Sequence, residues 1–157
     1  MDFAASVVIF ITALAIAIFA LNYTLNQNQS QIEMNMMENA AMSASDALVR
    51  QPGIPEDWDS SDVITLGLAS QENILNESKL QNLLSLDNNT IKSLLGISNY
   101  NFYLEVRYAN GSLASLPTGE GIVKGDPPSD ASMVIPVERH VIYMGEIARM
   151  RLVLWKP

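Results

Sequence analysis

The chain of 157 residues contains no cysteine. That excludes disulfides, thiolate metal sites and thiol catalysis, and leaves the compartment open. Histidine is nearly absent too, with His140 standing alone beside Arg139 in a strand-like stretch. A catalytic triad needs a base with its own orienting group, and a zinc site needs three or four ligands. A surface or rim histidine is the expectation. Glycine and proline are missing from residue 1 to Gln51, so nothing in the first third of the chain breaks a helix. Basic residues are missing before Arg50: all nine Lys and Arg lie from there onward, against a net charge of −8. No basic cluster exists, so neither nucleic acid nor adhesion to anionic lipid is expected. The acidic balance speaks mainly to solubility. Phosphate-binding glycine loops are lacking, since Gly119-Glu-Gly121 has neither the spacing nor a following helix. We expect no enzymatic activity and no cofactor.

What the chain does have is Phe3 to Leu21, FAASVVIFITALAIAIFAL, without charge, glycine or proline. Its length is close to the ~20 residues a helix needs to cross a bilayer core. There is no two-residue alternation, so a helix is expected rather than a barrel strand. Its polar side chains, Ser6 and Thr12, can bond back to their own helix or across to another. A secretory signal peptide is the competing reading, but a basic start and a following cleavage signature are missing. A buried core helix competes poorly, because so short a chain can hardly enclose it.

Beyond Leu21, Asn22 to Ser30 is polar and uncharged. Apolar residues then recur at Ile32, Met36, Ala40, Ala44 and Ala47/Leu48, with Met37 and Ala41 widening the stripe. That spacing marks one face of a helix. The simplest organisation is one helix of about 48 residues, roughly 70 Å long at 1.5 Å per residue. Residues 1–21 form its hydrophobic part and 22–51 its amphipathic continuation. Residues 52–157 form an α+β head, and about 135 residues outside the apolar run suffice for one domain. Pro52-Gly53-Ile54-Pro55 ends the helix. The residues proposed for the seam between helix and head are Ile32, Met36, Ala40 and Ala47.

Met34, Met36, Met37 and Met42 raise the question of a soft-metal site, but methionine more often fills packing gaps. Glu56 to Asp62 is an acidic loop without the register of a calcium-binding EF-hand, so a solvated loop with Trp58 folded onto the head is expected. Carboxylate pairs such as Asp57/Asp59 are only sequence neighbours. Val63 to Ala69 resembles a short buried strand. Two short helices are expected at Glu77 to Leu86 and Asn89 to Leu95, capped by Asn76 and Asn88. From Asn99 the period becomes two. Phe102, Leu104, Val106 and Tyr108 mark a half-buried strand, and Asn110-Gly111 a hairpin turn leading into Ser112 to Leu116. Residues 117–130 read as loop, with a brief strand at Ile122-Lys124. Ser132 to Tyr143 and Glu146 to Trp155 form a second hairpin about Met144-Gly145, with Ala148, Met150, Leu152 and Leu154 facing the core. Five sequons, at Asn22, Asn28, Asn76, Asn88 and Asn110, are candidate glycan acceptors and lean toward an external domain.

The layout, an apolar N-terminal helix running unbroken into a soluble head, resembles the type IV pilins, and in wording the archaeal pilin-like secreted proteins with class III signal peptides. The carrying residues are Phe3-Ala-Ala-Ser6-Val-Val-Ile-Phe10, Gly53-Ile-Pro55-Glu-Asp-Trp58, Leu66-Gly-Leu-Ala69, Lys79-Leu80, Leu95-Gly96, Tyr100-Asn-Phe-Tyr103, Glu138-Arg139 and Trp155. The resemblance implies a long helix packed on a small antiparallel sheet with two short helices. It also implies cleavage of a precursor before the hydrophobic segment and packing of that segment into a filament core at the cell surface. Partners would be copies of the chain or other pilins, and the membrane through the N-terminal helix. Core residues would be Phe3, Val7, Phe10, Leu14, Ile18 and Leu21. Two features depart from the pattern: there is no basic-plus-glycine cleavage site, and Ala5 stands where the bacterial pattern has Glu, with Asp2 the nearby acid. A membrane-anchored external binding domain that never polymerises fits the same residues.

Overall fold

The computed structural model describes residues 2–157, with side chains described for all of these except residues 2, 4, 5 and 24–29. Helix α1 spans Asp2–Arg50 without interruption. By internal contacts the chain divides into Met1–Met36 and Met37–Pro157, a division that falls inside the helix.

In the second unit, α1 contributes Met37, Ala41, Ala44 and Leu48 to the core, at the four-three-four spacing of a single helix face. This corrects the expected seam. Ile32 and Met36 are 58% and 60% exposed, and Ala40 and Ala47 are only half-buried. The true stripe is rotated by one residue, about 100° around the helix. Both stripes are apolar in sequence, and small alanines flank each, so spacing alone left two registers open.

The helix ends at Pro52-Gly53 as expected, but its last carbonyls are satisfied from outside. Leu68 N–H donates to Leu48 O (2.9 Å), Asn73 N–H to Val49 O (2.8 Å) and Ala69 N–H to Gln51 O (3.2 Å). Unpaired helix-end carbonyls would be costly under a buried segment, and these donors remove that cost. Gly67 makes the approach feasible: a Cβ there would sit 2.3 Å from Gln51 O and 2.5 Å from Gly53 N. Residues 63–68 are therefore not the expected strand, and only Ala69 of the expected stretch enters one. Leu66 and Leu68 are buried, but the backbone caps the helix and makes only one bridge, between Thr65 and Ile54.

Two small strands that the sequence did not announce follow, β1 (Ala69–Gln71) and β2 (Ile74–Leu75), joined through Asn73 at φ 63°. Helix α2 (Glu77–Ser85) is capped by Asn76, whose side chain accepts from Lys79 N–H. Helix α3 (Asn88–Leu94) is capped by Asp87, not by Asn88, which is its first residue. Asp87 accepts from the N–H groups of Asn89 and Thr90, and its carboxylate also suits the positive helix start. Hydrogen bonds from Thr90 and the Asn89 backbone hold its carboxyl below the usual range.

The sheet is built on β3 (Asn101–Tyr108), β4 (Val123–Gly125), β5 (Met133–Tyr143) and β6 (Glu146–Lys156), in the order β1-β2-β5-β6-β3-β4. The β5–β6 hairpin turns at Met144 and Gly145, both at positive φ, which matches the twist of paired strands. Ala148, Met150, Leu152 and Leu154 face the core as expected. The turn at Asn110-Gly111 also forms, but its return is a broken one: a bridge from Arg107 to Leu113, then another from Ser115 to Gly121. The brief strand expected at 122–124 is β4, one residue later. The sheet is not wholly antiparallel, because β2 joins β5 in parallel. The fold is α+β: helices with a curled mixed sheet, preceded by an apolar helical segment.

One core fills the space between the last four turns of α1, the sheet and the loops. It holds Trp58, 1% exposed, whose indole N–H donates to Gly67 O (2.9 Å) and Pro52 O (3.1 Å). Arg139 on β5 reaches Asp46 on α1 at 3.0 Å, pinning the helix across the sheet.

Candidate functional site

In the unit Met1–Met36 the feature to explain is an apolar surface with nothing over it. Phe3, Val7, Phe10, Leu14, Ile18 and Leu21 are all exposed, as are Val8, Ile9, Ile11, Ile16 and Phe19. Five consecutive exposed residues, Val7 to Ile11, cover every side of a helix. The window Ser6–Tyr23 has a mean hydropathy of 2.2, and none of it is buried. Burying eleven such side chains is worth on the order of 10–30 kcal/mol at about 1.5–3 kcal/mol each, less what they already cover of one another. That is comparable with or larger than the roughly 5–15 kcal/mol stability of a whole domain. A helix apolar on all sides belongs in lipid or among other helices. The hydroxyl of Thr12 suits such a place, since it donates to Val8 O at 2.8 Å within its own helix.

In the second unit, the expected chemical candidates resolve individually. His140 is exposed on the outer face of β5, opposite Arg149 of β6. The acidic loop turns two of its carboxylates onto itself. Asp59 accepts from Ser61 N–H (2.7 Å) and Oγ (2.6 Å), and Asp62 accepts from Asp59 N–H (2.8 Å). The Ser61 bonds lower the Asp59 pKa. Among the described residues no three His, Asp or Glu side chains converge as a metal requires. Met37 is in the core, whereas Met34, Met36 and Met42 are exposed.

Two polar constellations escaped the sequence. The first is Lys79, 6% exposed, on α2. Its ammonium donates to Pro52 O (2.7 Å) and Ala69 O (3.0 Å), tying the two arms of the loop beyond α1. Burial pulls its pKa down, partly opposed by the charges of Glu56 and Asp57. It lies beneath a polar hollow of about 640 Å³ that these two acids and Asn76 also line. The second is on the outer sheet face. Glu105, 4% exposed, takes Arg107 at 3.0 Å, Arg151 at 3.7 Å and the Tyr103 hydroxyl at 3.1 Å. Burial raises its pKa, but the hydrogen bonds and charges outweigh that, and the net shift is down. Cross-strand register brings these groups together, and strand positions two apart in sequence were their only trace.

Among the sequons, Asn22 and Asn110 are exposed, while Asn76 and Asn88 are half-buried at helix starts. The Asn28 side chain lies outside the described residues. Asn110 uses its side-chain oxygen to accept from Ser112 N–H (2.9 Å). Comparison with protein-family models, with curated proteins and with solved structures finds no match to this chain.

Proposed function

We propose that the chain is a pilin-like subunit of an extracytoplasmic filament, held in the membrane and then in the polymer by its N-terminal helix. The observation that carries this is the helical segment of residues 6–21, apolar on every side and unburied, within the same α1 that supplies the core of an α+β head. Such a segment has two low-energy environments: hydrocarbon for a single copy, or a bundle of identical helices. The small residues Ala13, Ala15, Ala17 and Ala20 favour close helix approach in such a bundle. Tyr23, exposed at the end of the apolar window, is the residue type found at the lipid–water boundary. We assign the head to the outside of the cell, and no cofactor or catalytic role to the chain. The second reading, a membrane-anchored domain that stays monomeric, is favoured by the fit of Ser6–Tyr23 to a single span.

The test is Ile11→Lys at the middle of the apolar segment. A lysine there costs about 2.5–3.5 kcal/mol in a bilayer centre and leaves a charge unpaired in a bundle. We expect wild-type chains in the membrane fraction and in fibres of regular width by electron microscopy, with both lost in the variant. Unchanged fibres in the variant overturn the proposal. Membrane-bound wild-type chains that never form fibres favour the monomeric reading.

A further inference from the structure

The five Asn-x-Ser/Thr triplets fold into different surroundings. Asn22-Tyr-Thr24 and Asn28-Gln-Ser30 lie inside α1, and Asn88-Asn-Thr90 opens α3. On a helix, residues two apart do not face each other, so the hydroxyl of such a triplet is turned away from its asparagine amide. In α3 the Thr90 hydroxyl donates instead to the Asp87 carboxylate. Asn76 is the half-buried cap of α2, and its side-chain oxygen accepts from Lys79 N–H at 3.2 Å, one residue past the serine of its triplet.

Asn110-Gly-Ser112 is unlike the other four. It forms the turn after β3, and Ala109 to Leu113 are all exposed. Gly111 N–H donates to Tyr108 O (2.9 Å), Tyr108 N–H to Ser112 O (2.9 Å) and Arg107 Nη1 to Gly111 O (3.1 Å). Gly111 sits at φ 86°, which glycine adopts without strain. Within this turn the Ser112 N–H and the Ser112 hydroxyl both donate to Asn110 Oδ1, at 2.9 and 2.7 Å. A backbone N–H can only donate, so the atom it meets is the amide oxygen. The amide nitrogen Nδ2 is then the atom left over, and among the described residues nothing accepts from it. Beside it is a shallow hollow of about 320 Å³ lined by Tyr108, Ala109, Glu146 and Ile147, the last of these 66% exposed.

We infer that Asn110 is the one acceptor of an N-linked sugar among the five triplets. The inference rests on the outward placement of the head proposed above, since such triplets are modified on secreted surfaces. The donor is a sugar carried on a lipid phosphate and presented by a membrane transferase. Asn110 Nδ2 forms a bond to the anomeric carbon of that sugar. The bond from this carbon to the phosphate oxygen breaks, and the phosphate leaves with the electron pair. One Nδ2 proton passes to a base of the transferase, and nothing is oxidised or reduced. The two Ser112 donors hold the amide in one orientation, and the exposed turn lets an enzyme cleft close around it. The attached sugar lies over the hollow, with Ile147 against its apolar face and the Glu146 carboxylate accepting from its hydroxyls.

The test is peptide mass spectrometry on the full chain recovered from the cells that make it. Cleavage after Lys and Arg separates the triplets: residues 1–50 carry Asn22 and Asn28, 51–79 carry Asn76, 80–92 carry Asn88 and 108–124 carry Asn110. We expect sugar mass on 108–124 alone. It is kept in Ser112→Thr and lost in Ser112→Ala, which retains Asn110 and the backbone N–H. Sugar on any of the other three peptides, or on 108–124 of Ser112→Ala, overturns the inference. So does a bare 108–124 peptide in the wild-type chain, and protease added to intact cells then separates two causes. A bare head that is cut from outside overturns the sugar alone and leaves the outward placement standing. A bare head that is protected overturns both. Sugar on 108–124 of a chain that never forms fibres upholds the inference and counts against the filament alone.

Discussion

Glu105 is a carboxylate under the surface of a sheet, surrounded by residues that keep it charged. Desolvation alone would favour its neutral form, but Arg107, Arg151 and the Tyr103 hydroxyl hold its pKa below the ordinary 4.5. A depressed folded-state pKa contributes stability that is present above the unfolded value and lost as pH falls through the folded one. The head should therefore lose this contribution below about pH 4.5. Glu105→Gln should be less stable by roughly 1–3 kcal/mol at neutral pH, the usual cost of removing a charged hydrogen-bond partner. Its stability should also fall less steeply below pH 4.5 than that of wild type. Urea unfolding at pH 7, 5 and 3.5 checks both statements. Asp59 and Asp87 also titrate low, but they do so in both proteins, so the difference belongs to Glu105.

At the scale of the element, α1 has an apolar run, a polar stretch and an amphipathic end in one helix, and the last of these shows what periodicity conveys. Spacing of three and four correctly marked a helix with a buried stripe. It did not choose between Ile32/Met36/Ala40/Ala47 and Met37/Ala41/Ala44/Leu48, because each row is apolar and each satisfies the period. Packing in the core of the head selected the second, and the Asp46–Arg139 pair ties the same end of α1 to β5. Leu48→Ala should destabilise the head by about 2–5 kcal/mol, the range for a buried leucine cut back to alanine. Ile32→Ala should change head stability by less than about 0.5 kcal/mol, as expected of an exposed position. Thermal unfolding in detergent, followed by tryptophan fluorescence, distinguishes them, since Trp58 and Trp155 both lie in the head. The β5–β6 hairpin was legible for a different reason. Residues 133–143 alternate, as do 147–152, and Met144-Gly145 separates the strands by the two residues a tight turn needs.

Across the whole molecule, two kinds of stability coexist in one chain. The head is held by a core that water-exposed unfolding can dissolve. Under the proposed anchoring, residues 3–21 would keep their helix for another reason: in hydrocarbon there is no water to replace the backbone hydrogen bonds. Heating the chain in micelles should then remove the near-ultraviolet circular dichroism of the tryptophans in one transition. A substantial helical signal at 222 nm should survive that transition and persist to higher temperature. Loss of both signals together would show that the apolar segment depends on the head for its helicity.

From its amino acids alone this chain determined that a long, uncharged, glycine- and proline-free segment must be helical and must be shielded from water. It also determined where that helix stops, and where the chain changes from period 3.6 to period two. These are local properties, settled by backbone chemistry and by the solubility of side chains within a few turns. Tertiary structure alone decided which helix face enters the core, that residues 63–68 lie against the end of α1 rather than pair in the sheet, and that Glu105, Arg107 and Arg151 form one cluster. Each of those depends on groups far apart in the chain competing for the same space and the same hydrogen bonds, and no local pattern records which of them wins.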